Sequence, residues 1–307
     1  MLHRLRRLAS SLGQSAHATE VDHWKAIERR AATGERMFWL NHPRVNHHYH
    51  RKSMFGGLYW QGYVKQHFGG PAGRALELGC GDGRALGRLM DQGVIASGVG
   101  LDLDESRFLV DRHDGRLSFV AADVNTVTLE PESYDLILAL QAFHHFEAIE
   151  HVMAEAHRAL KPGGLFILDE FVGPSRFQWT DVQLAWVGHL LDLMPIELRR
   201  YANGAVKRRE GRSTPEEVMR VCPSEAVRPE DIPRVFREVF DPIATLNLGG
   251  TIQHLLYSGI VHNFPDDDPE VLALIDSVDA IETALIGSGM LPSDFMLLVG
   301  QRRDSGT

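Results

Sequence analysis

Cysteine is almost missing from this sequence: Cys80 and Cys222 are the two in the chain. Two thiols cannot build the disulfide framework of a small secreted domain, and such usage suits a reducing cytoplasm. Long apolar runs are missing as well. No stretch approaches the roughly 20 residues that a membrane-crossing helix needs, which argues against an integral membrane protein. Positive charge is in deficit, with 32 Lys and Arg against 41 Asp and Glu and a net charge of -9. That balance argues against a protein that grips nucleic acid through a general basic field and favours small polar substrates. The opening, MLHRLRRLASSLGQSAHA, is basic, but its apolar positions are too interrupted for a signal-peptide core. It reads as a frayed or docked helix, with contact at a membrane surface as the lesser alternative. Internal repeats and low-complexity linkers are absent.

What is present is centred on residues 74–102, RALELGCGDGRALGRLMDQGVIASGVGLD. A short apolar run, Ala75 to Leu78, contains an acid, Glu77. It passes through Gly79, Gly81 and Gly83 into a helical pattern over 84–92, and a second apolar run closes on Asp102. Strand, glycine turn, helix and second strand follow in that order. Glycines let the backbone turn tightly, and the helix aims its free amides over the turn. An acid at the end of the second strand can accept both hydroxyls of a ribose. The spacing is GxGxG, not the GxGxxG of dinucleotide sites, since Arg84 and Leu86 stand where the third glycine would be. Glu77 is a poor neighbour for a pyrophosphate and a good one for an ammonium. The ligand therefore carries a ribose and a cationic amino-acid end, and S-adenosylmethionine meets both demands.

ELGCGDG followed by GLD resembles the first two motifs of class I S-adenosylmethionine-dependent methyltransferases. The resemblance implies a Rossmann-like α/β fold with a seven-stranded, mostly parallel sheet whose last strand is antiparallel, lying between the fifth and sixth. It also implies S-adenosyl-L-methionine as cofactor, S-adenosyl-L-homocysteine as product, and cofactor contacts from Glu77, Gly79, Cys80, Gly81, Asp82, Asp102, Leu103, Asp123, Val124 and Gln141. Cys80 reads as a small filler of the turn. Asp123, after a third strand over 117–121, would accept from the adenine amino group, or serve as an ordinary N-cap.

A helical cap over 1–70 precedes a methyltransferase domain over 71–307, into which two helical insertions are set, about 173–233 as a lid and 249–290. Within the cap, His42, His47, His48 and His50 lack carboxylates or cysteines at ligand spacing, and Pro43 interrupts the segment, so packing or substrate contact is expected and no metal. A short helix is expected over 104–111 with Asp104 or Glu105 near its start. YDLILAL, residues 134–140, is a continuous apolar run and so a central strand buried on both faces. A doubly wound sheet reverses its strand order between the first strand and this one, and ligands bind at that crevice. Lys161 to Gly164 reads as a turn before a fifth strand over 165–171. Thr214-Pro215-Glu216-Glu217 and Asp268-Pro269-Glu270 read as helix starts.

Methyl transfer from a sulfonium is an in-line displacement in which alignment supplies on the order of 7–11 kcal/mol. A general base adds roughly 10²–10⁴ in rate for a hydroxyl nucleophile. AFHHFE after the fourth strand resembles the segment that holds the base of many O-methyltransferases, so His144 is the first candidate. His145 is a second base, a cofactor contact or a cap, and Glu170 an alternative base or the partner of a histidine. Segments such as FVGPSRFQWTDVQL, PSEAVRPEDI and GGTIQHLLYSGIVHNF resemble bacterial methyltransferases of glycan and surface-polysaccharide biosynthesis. On that resemblance Arg176, Gln178, Trp179, Glu225, Arg228 and His254 are candidate acceptor contacts, or ties between insertions and core. The basic run from Arg199 to Arg212 offers attraction for an anionic sugar, or a solvated face. The reading is O-methylation of a sugar-containing or other polar small molecule, with N- or C-methylation of a natural product as the alternative and a non-catalytic cofactor-binding scaffold as the other class. A homodimer stays open.

Overall fold

The computed structural model describes residues 14–32, 36, 38–104, 108 and 114–303. The basic segment over 1–13 lies outside them, and so does most of the helix expected over 104–111. Seven strands form one sheet in the order β3-β2-β1-β4-β5-β7-β6. They are β1 (Ala75–Leu78), β2 (Gly98–Asp102), β3 (Leu117–Ala121), β4 (Tyr134–Leu140), β5 (Leu160–Phe171), β6 (Phe240–Gly249) and β7 (Phe295–Arg302). The first five pair in parallel, and β7 runs antiparallel between β5 and β6. The fold is Rossmann-like, as the motifs imply. Strand order reverses between β1 and β4, so the crevice above their carboxyl ends is where a ligand belongs.

Period-2 alternation along the central strands divides the core. Leu136 and Leu138 of β4 pack on one face of the sheet with Leu165 and Ile167 of β5, while Ile137 and Ala139 pack on the other with Phe166 and Leu168. All eight are completely buried, which is why these strands show no polar alternation in sequence. β5 starts earlier than expected, because Leu160 pairs with Tyr134 across an irregularity in the register and draws Lys161 to Gly164 into the strand.

Ten helices surround the sheet among the described residues. The cap contributes α1 (Gln14–Ala32), α2 (Pro43–Lys52) and α3 (Trp60–Phe68). Pro43 does not break the second of these but begins it, with His42 Nδ1 accepting from the Arg44 amide at 3.1 Å. After β1 comes α4 (Arg84–Asp91), and α5 (Ile149–Ala159) leads into β5. The first insertion holds α6 (Asp181–Leu193) and α7 (Pro215–Val221), followed by α8 (Ile232–Val239). The second holds a short α9 (Gln253–Tyr257) and the long α10 (Pro269–Gly287). Thr214 and Asp268 cap α7 and α10 through the backbone amides that their sequence positions imply. No described helix is long and apolar enough to cross a membrane.

Candidate functional site

A cleft of about 520 Å³ opens at the carboxyl ends of β1, β2, β3 and β4. Its floor is the glycine turn. Gly79 and Gly83 both have positive φ, at 70° and 83°. A side chain at Gly79 would come within 2.6 Å of Ala142 Cβ, and one at Gly83 would enter the Phe119 ring. Packing against neighbouring strand ends therefore fixes these two glycines, in addition to the turn itself. Cys80 is buried and lies under Gly100, where a Cβ would meet its sulfur at 2.6 Å; it is the filler that the sequence suggests.

Glu77 is 2 % exposed, and its Oε2 has no hydrogen-bond partner. Burial pushes its carboxyl up to about 8, with Asp102 and Asp82 adding to the rise and Arg88 opposing it. The open Oε2 at the mouth of a glycine turn is a buried acceptor that a ligand donor would satisfy. Asp102 closes β2, and its Oδ2 accepts the Gly81 amide at 2.7 Å, which fixes the turn against the second strand. Asp82, Leu103, Asp123, Val124 and Gln141 line the same cleft, so the ten residues that the resemblance nominates for the cofactor lie within or beside one cavity. Asp123 Oδ1 accepts from the backbone and side chain of Asn125, both at 2.9 Å. Asn125 in turn accepts the amides of Glu147 and Ala148, joining the loops after β3 and β4. An orphaned acid, a left-handed glycine turn and an acid at the end of β2 fit S-adenosylmethionine in its ammonium and ribose parts.

At the end of β4, Gln141 holds a left-handed conformation, φ 56°, which a side chain other than glycine rarely adopts. Its amide Nε2 donates to Asp169 Oδ1 at 2.9 Å and to the Tyr49 hydroxyl at 3.2 Å, and that hydroxyl donates to Asp169 at 2.5 Å. The cap thus reaches the ends of β4 and β5 through the buried Tyr49, a contact that the sequence alone does not single out.

His144 corrects the first expectation for a base. Its Nδ1 lies 2.5 Å from Glu170 Oε1 and its Nε2 3.5 Å from Glu225 Oε1. Burial alone would lower its pKa, but the two carboxylates outweigh that and push it up to about 10. It is an imidazolium with both nitrogens engaged, and it does not line the cleft. Glu170 is fully buried and also accepts the amides of Ala142, Phe143 and Phe171. It shapes the loop after β4 and has no free oxygen with which to take a proton from a substrate. His145 does line the cleft. Burial, joined by the neighbouring imidazolium, lowers it to about 4, so it is neutral. Its Nδ1 stands 2.9 Å from Ser224 Oγ, and its buried Nε2 has no partner.

The acceptor candidates of the insertions are spent on the protein itself. Arg176 donates to the carbonyls of Pro223 and Glu225, both at 2.8 Å, and Gln178 to those of Arg176 and Ser213. Trp179 is 5 % exposed and stacks on Phe177 at 5.1 Å. Arg228 pairs with Glu150 and Asp231, and His254 is buried among Trp39, Trp179 and Phe295. None of the five lines the cleft. Of the basic run, Lys207 is buried, donating to the carbonyls of Leu255 and Ser258, while Arg209 and Arg212 are exposed and pair with Asp192 and Asp181. Of the histidines of the cap, His42 and His48 pack, with His48 Nε2 at 2.7 Å from Asp276 of α10, and His47 and His50 are exposed. What lies on the cleft instead is α1, through Glu20, Val21 and Trp24, together with Ser224 from the first insertion. The spacing of Trp24 and Ile27 marks a helix in sequence, but nothing local says which cleft it covers.

Residues 76–168 match the family model described as a methyltransferase domain. That segment runs from β1 to the middle of β5 and so comprises the cofactor half of the sheet. Over 110 residues the chain is 30% identical to the sterol 24-C-methyltransferase of Clavispora lusitaniae, covering 34% of this chain and 29% of that protein. Over 125 residues it is 31% identical to the malonyl-[acyl-carrier protein] O-methyltransferase of Methylococcus capsulatus, covering 39% of this chain and 44% of the other. The chain thus spans less than half the length of these relatives. An S-adenosylmethionine-dependent methyltransferase from Mesorhizobium loti superposes with a TM-score of 0.46 at 20% identity, over 76% of this chain and 92% of the other.

Proposed function

We propose that this chain is an S-adenosylmethionine-dependent methyltransferase that acts on an oxygen of a polar small molecule. The observation that carries the reading is Glu77, a buried carboxyl with an unpartnered oxygen at the rim of a left-handed glycine turn. The ammonium of a methionine end supplies the donor that Glu77 Oε2 lacks, and Asp102 supplies the ribose contact. When bound, the cofactor provides a methyl group on a positively charged sulfur, open to in-line attack. The chain's own task is alignment and the exclusion of water. Glu77, Asp102 and the loop around Asp123 hold the two ends of the cofactor, and Gln141 and His145 form the wall beside which the acceptor oxygen is placed. α1 lies over the cleft and shields it.

A polar acceptor is supported by the lining at this end of the cleft, where Gln141, His145, Glu147 and Ser224 contribute side chains with hydrogen-bonding capacity. The insertion residues suited to a sugar hold the protein together instead, so oxygen and polarity are the properties of the acceptor that the proposal carries. The relative named for malonyl-[acyl-carrier protein] O-methylation also transfers to oxygen by its name.

Calorimetric titration with S-adenosylmethionine, S-adenosylhomocysteine and NAD tests the proposal. Micromolar binding of the first two and none of the third is expected. Binding of NAD alone would overturn it. Transfer of a labelled methyl group to hydroxyl-bearing acceptors, and not to their deoxy analogues, is the corresponding outcome for the acceptor atom.

A further inference from the structure

Beside Ser224, at the edge of the cleft, lies a group of metal-ligating side chains of which the proposed methyl transfer uses His145 alone. Glu20 and His23 stand nearly one turn apart on α1, His144 and His145 follow β4, and Cys222 and Glu225 follow α7. Three overlapping sets of these residues each bring one ligand atom per residue within 4.8 Å of one another: Glu20 with His145 and Cys222, His23 with Cys222 and Glu225, and His144 with His145 and Glu225. The first set forms a compact triangle. Cys222 Sγ is 3.3 Å from Glu20 Oε1 and 3.9 Å from His145 Nδ1, and those two are 3.8 Å apart. The point equidistant from three such atoms is about 2.1 Å from each, and zinc binds imidazole, carboxylate and thiolate at about 2.0–2.3 Å.

We propose that Glu20, His145 and Cys222 bind a zinc ion where α1, the loop after β4 and the segment after α7 meet, with an oxygen on the Ser224 side as the fourth ligand. Thiolate, imidazole and carboxylate together suit zinc among the abundant divalent ions. Ser224 Oγ, 2.7 Å from Glu20 Oε1 and 2.9 Å from His145 Nδ1, already stands over one face of the triangle. The charges balance: one carboxylate and one thiolate neutralise the dication, so a buried site carries no net charge. Binding releases the Cys222 proton to solvent and leaves the imidazole proton on Nε2 instead of Nδ1. Two consequences follow for the cleft. The ion fastens α1 to the core, and the buried Nε2 of His145 becomes a donor. The ligands come from segments more than a hundred residues apart in places, so no ligand spacing marks them in sequence.

This inference does not depend on methyl transfer. The test uses the full chain without an affinity tag, freed of metal by chelation and titrated with cobalt(II) as a spectroscopic substitute. Expected are uptake of about one equivalent with tetrahedral visible bands and a thiolate-to-cobalt charge-transfer band in the near ultraviolet, both displaced by zinc. Cys222→Ser should lose the charge-transfer band and Glu20→Gln should bind more weakly, with circular dichroism unchanged. Absence of the charge-transfer band in the wild-type chain overturns the proposal whether or not the variants fold, and so does a band that survives Cys222→Ser. A protein that binds cobalt in this way but not S-adenosylmethionine would sink the cofactor reading and leave the metal site standing.

Discussion

Glu77→Gln should make the cofactor-free protein more stable and the cofactor weaker to bind. The carboxyl is 2 % exposed, and burial, the largest cause, pushes it up to about 8 against an ordinary 4.5, with Arg88 opposing the rise. A folded pKa above the unfolded one means that the native state favours the protonated acid. This carboxyl therefore costs nothing below about pH 4.5, and its ionisation weakens the fold progressively as pH rises to about 8. At 1.36 kcal/mol per pH unit the full cost is about 5 kcal/mol, and about 3 kcal/mol is already present at pH 7. The Gln variant carries no such cost. Urea denaturation of both proteins across pH 5 to 9 should show the variant gaining on the wild type as pH rises, by up to about 3–5 kcal/mol. Binding supplies the complementary readout. A Glu77 that is about nine-tenths protonated at pH 7 must give up that proton when it pairs with an ammonium. The apparent binding enthalpy should then vary with the ionisation heat of the buffer in the wild type and much less in the variant. If the two proteins shared one pH–stability curve, or if the variant bound S-adenosylmethionine unchanged, the assignment of Glu77 to the ammonium would have to be withdrawn.

Asp102→Ala should weaken S-adenosylmethionine by about 10- to 150-fold in calorimetry, the equivalent of about 1.5–3 kcal/mol for hydrogen bonds to a charged acceptor. Part of that loss reflects the Gly81 amide that Asp102 also holds. Glu170→Gln should destabilise the fold by about 3–5 kcal/mol in thermal or urea melts, because it leaves a buried imidazolium with a weakened partner; unchanged stability with lost turnover would instead restore Glu170 as a base. Gly83→Ala should fold poorly, since its φ of 83° and the Phe119 ring both oppose a Cβ, and a Phe119→Ala partner change should recover the steric part of the loss.

Where a property is local, it could be read from the chain. The GxGxG turn, the acid closing β2, the apolar run of β4 and the capped starts of α7 and α10 each follow from a few adjacent residues, and the strand order follows from the doubly wound pattern that those elements imply. What escaped depends on partners distant in sequence. His144 has the position of a base after β4, but Glu170 and Glu225 come from β5 and the first insertion and convert it into a fixed cation. Arg176 and Trp179 have the chemistry of sugar contacts, but the chain around Pro223 and the stacked Phe177 occupy them first. A side-chain type in a loop states what it can do, and only the elements packed on that loop decide whether it is free to do it.

The cap shows the same rule at the scale of helices. α2 is anchored by apolar burial, with Val45 and Tyr49 in the core, and by Lys52 and His48 reaching acids of α10. Moving it would expose that core and strip buried charges of their partners, so Tyr49 is delivered to the strand ends on a rigid support. α1 is held differently. Its described contacts to the rest of the chain run through Glu20 to Ser224 and Cys222, Trp24 edge-on to His145, and Lys25 to Asp104. Polar contacts of this kind exchange with water at a net of about 0.5–1.5 kcal/mol each. Of the insertion over 173–233 Ser224 alone lines the cavity, whereas α1 brings Glu20, Val21 and Trp24 to it, so on the proposed function α1 is the element placed to shield the cleft. An ion bound by Glu20 would then add a further bond to these polar contacts of α1.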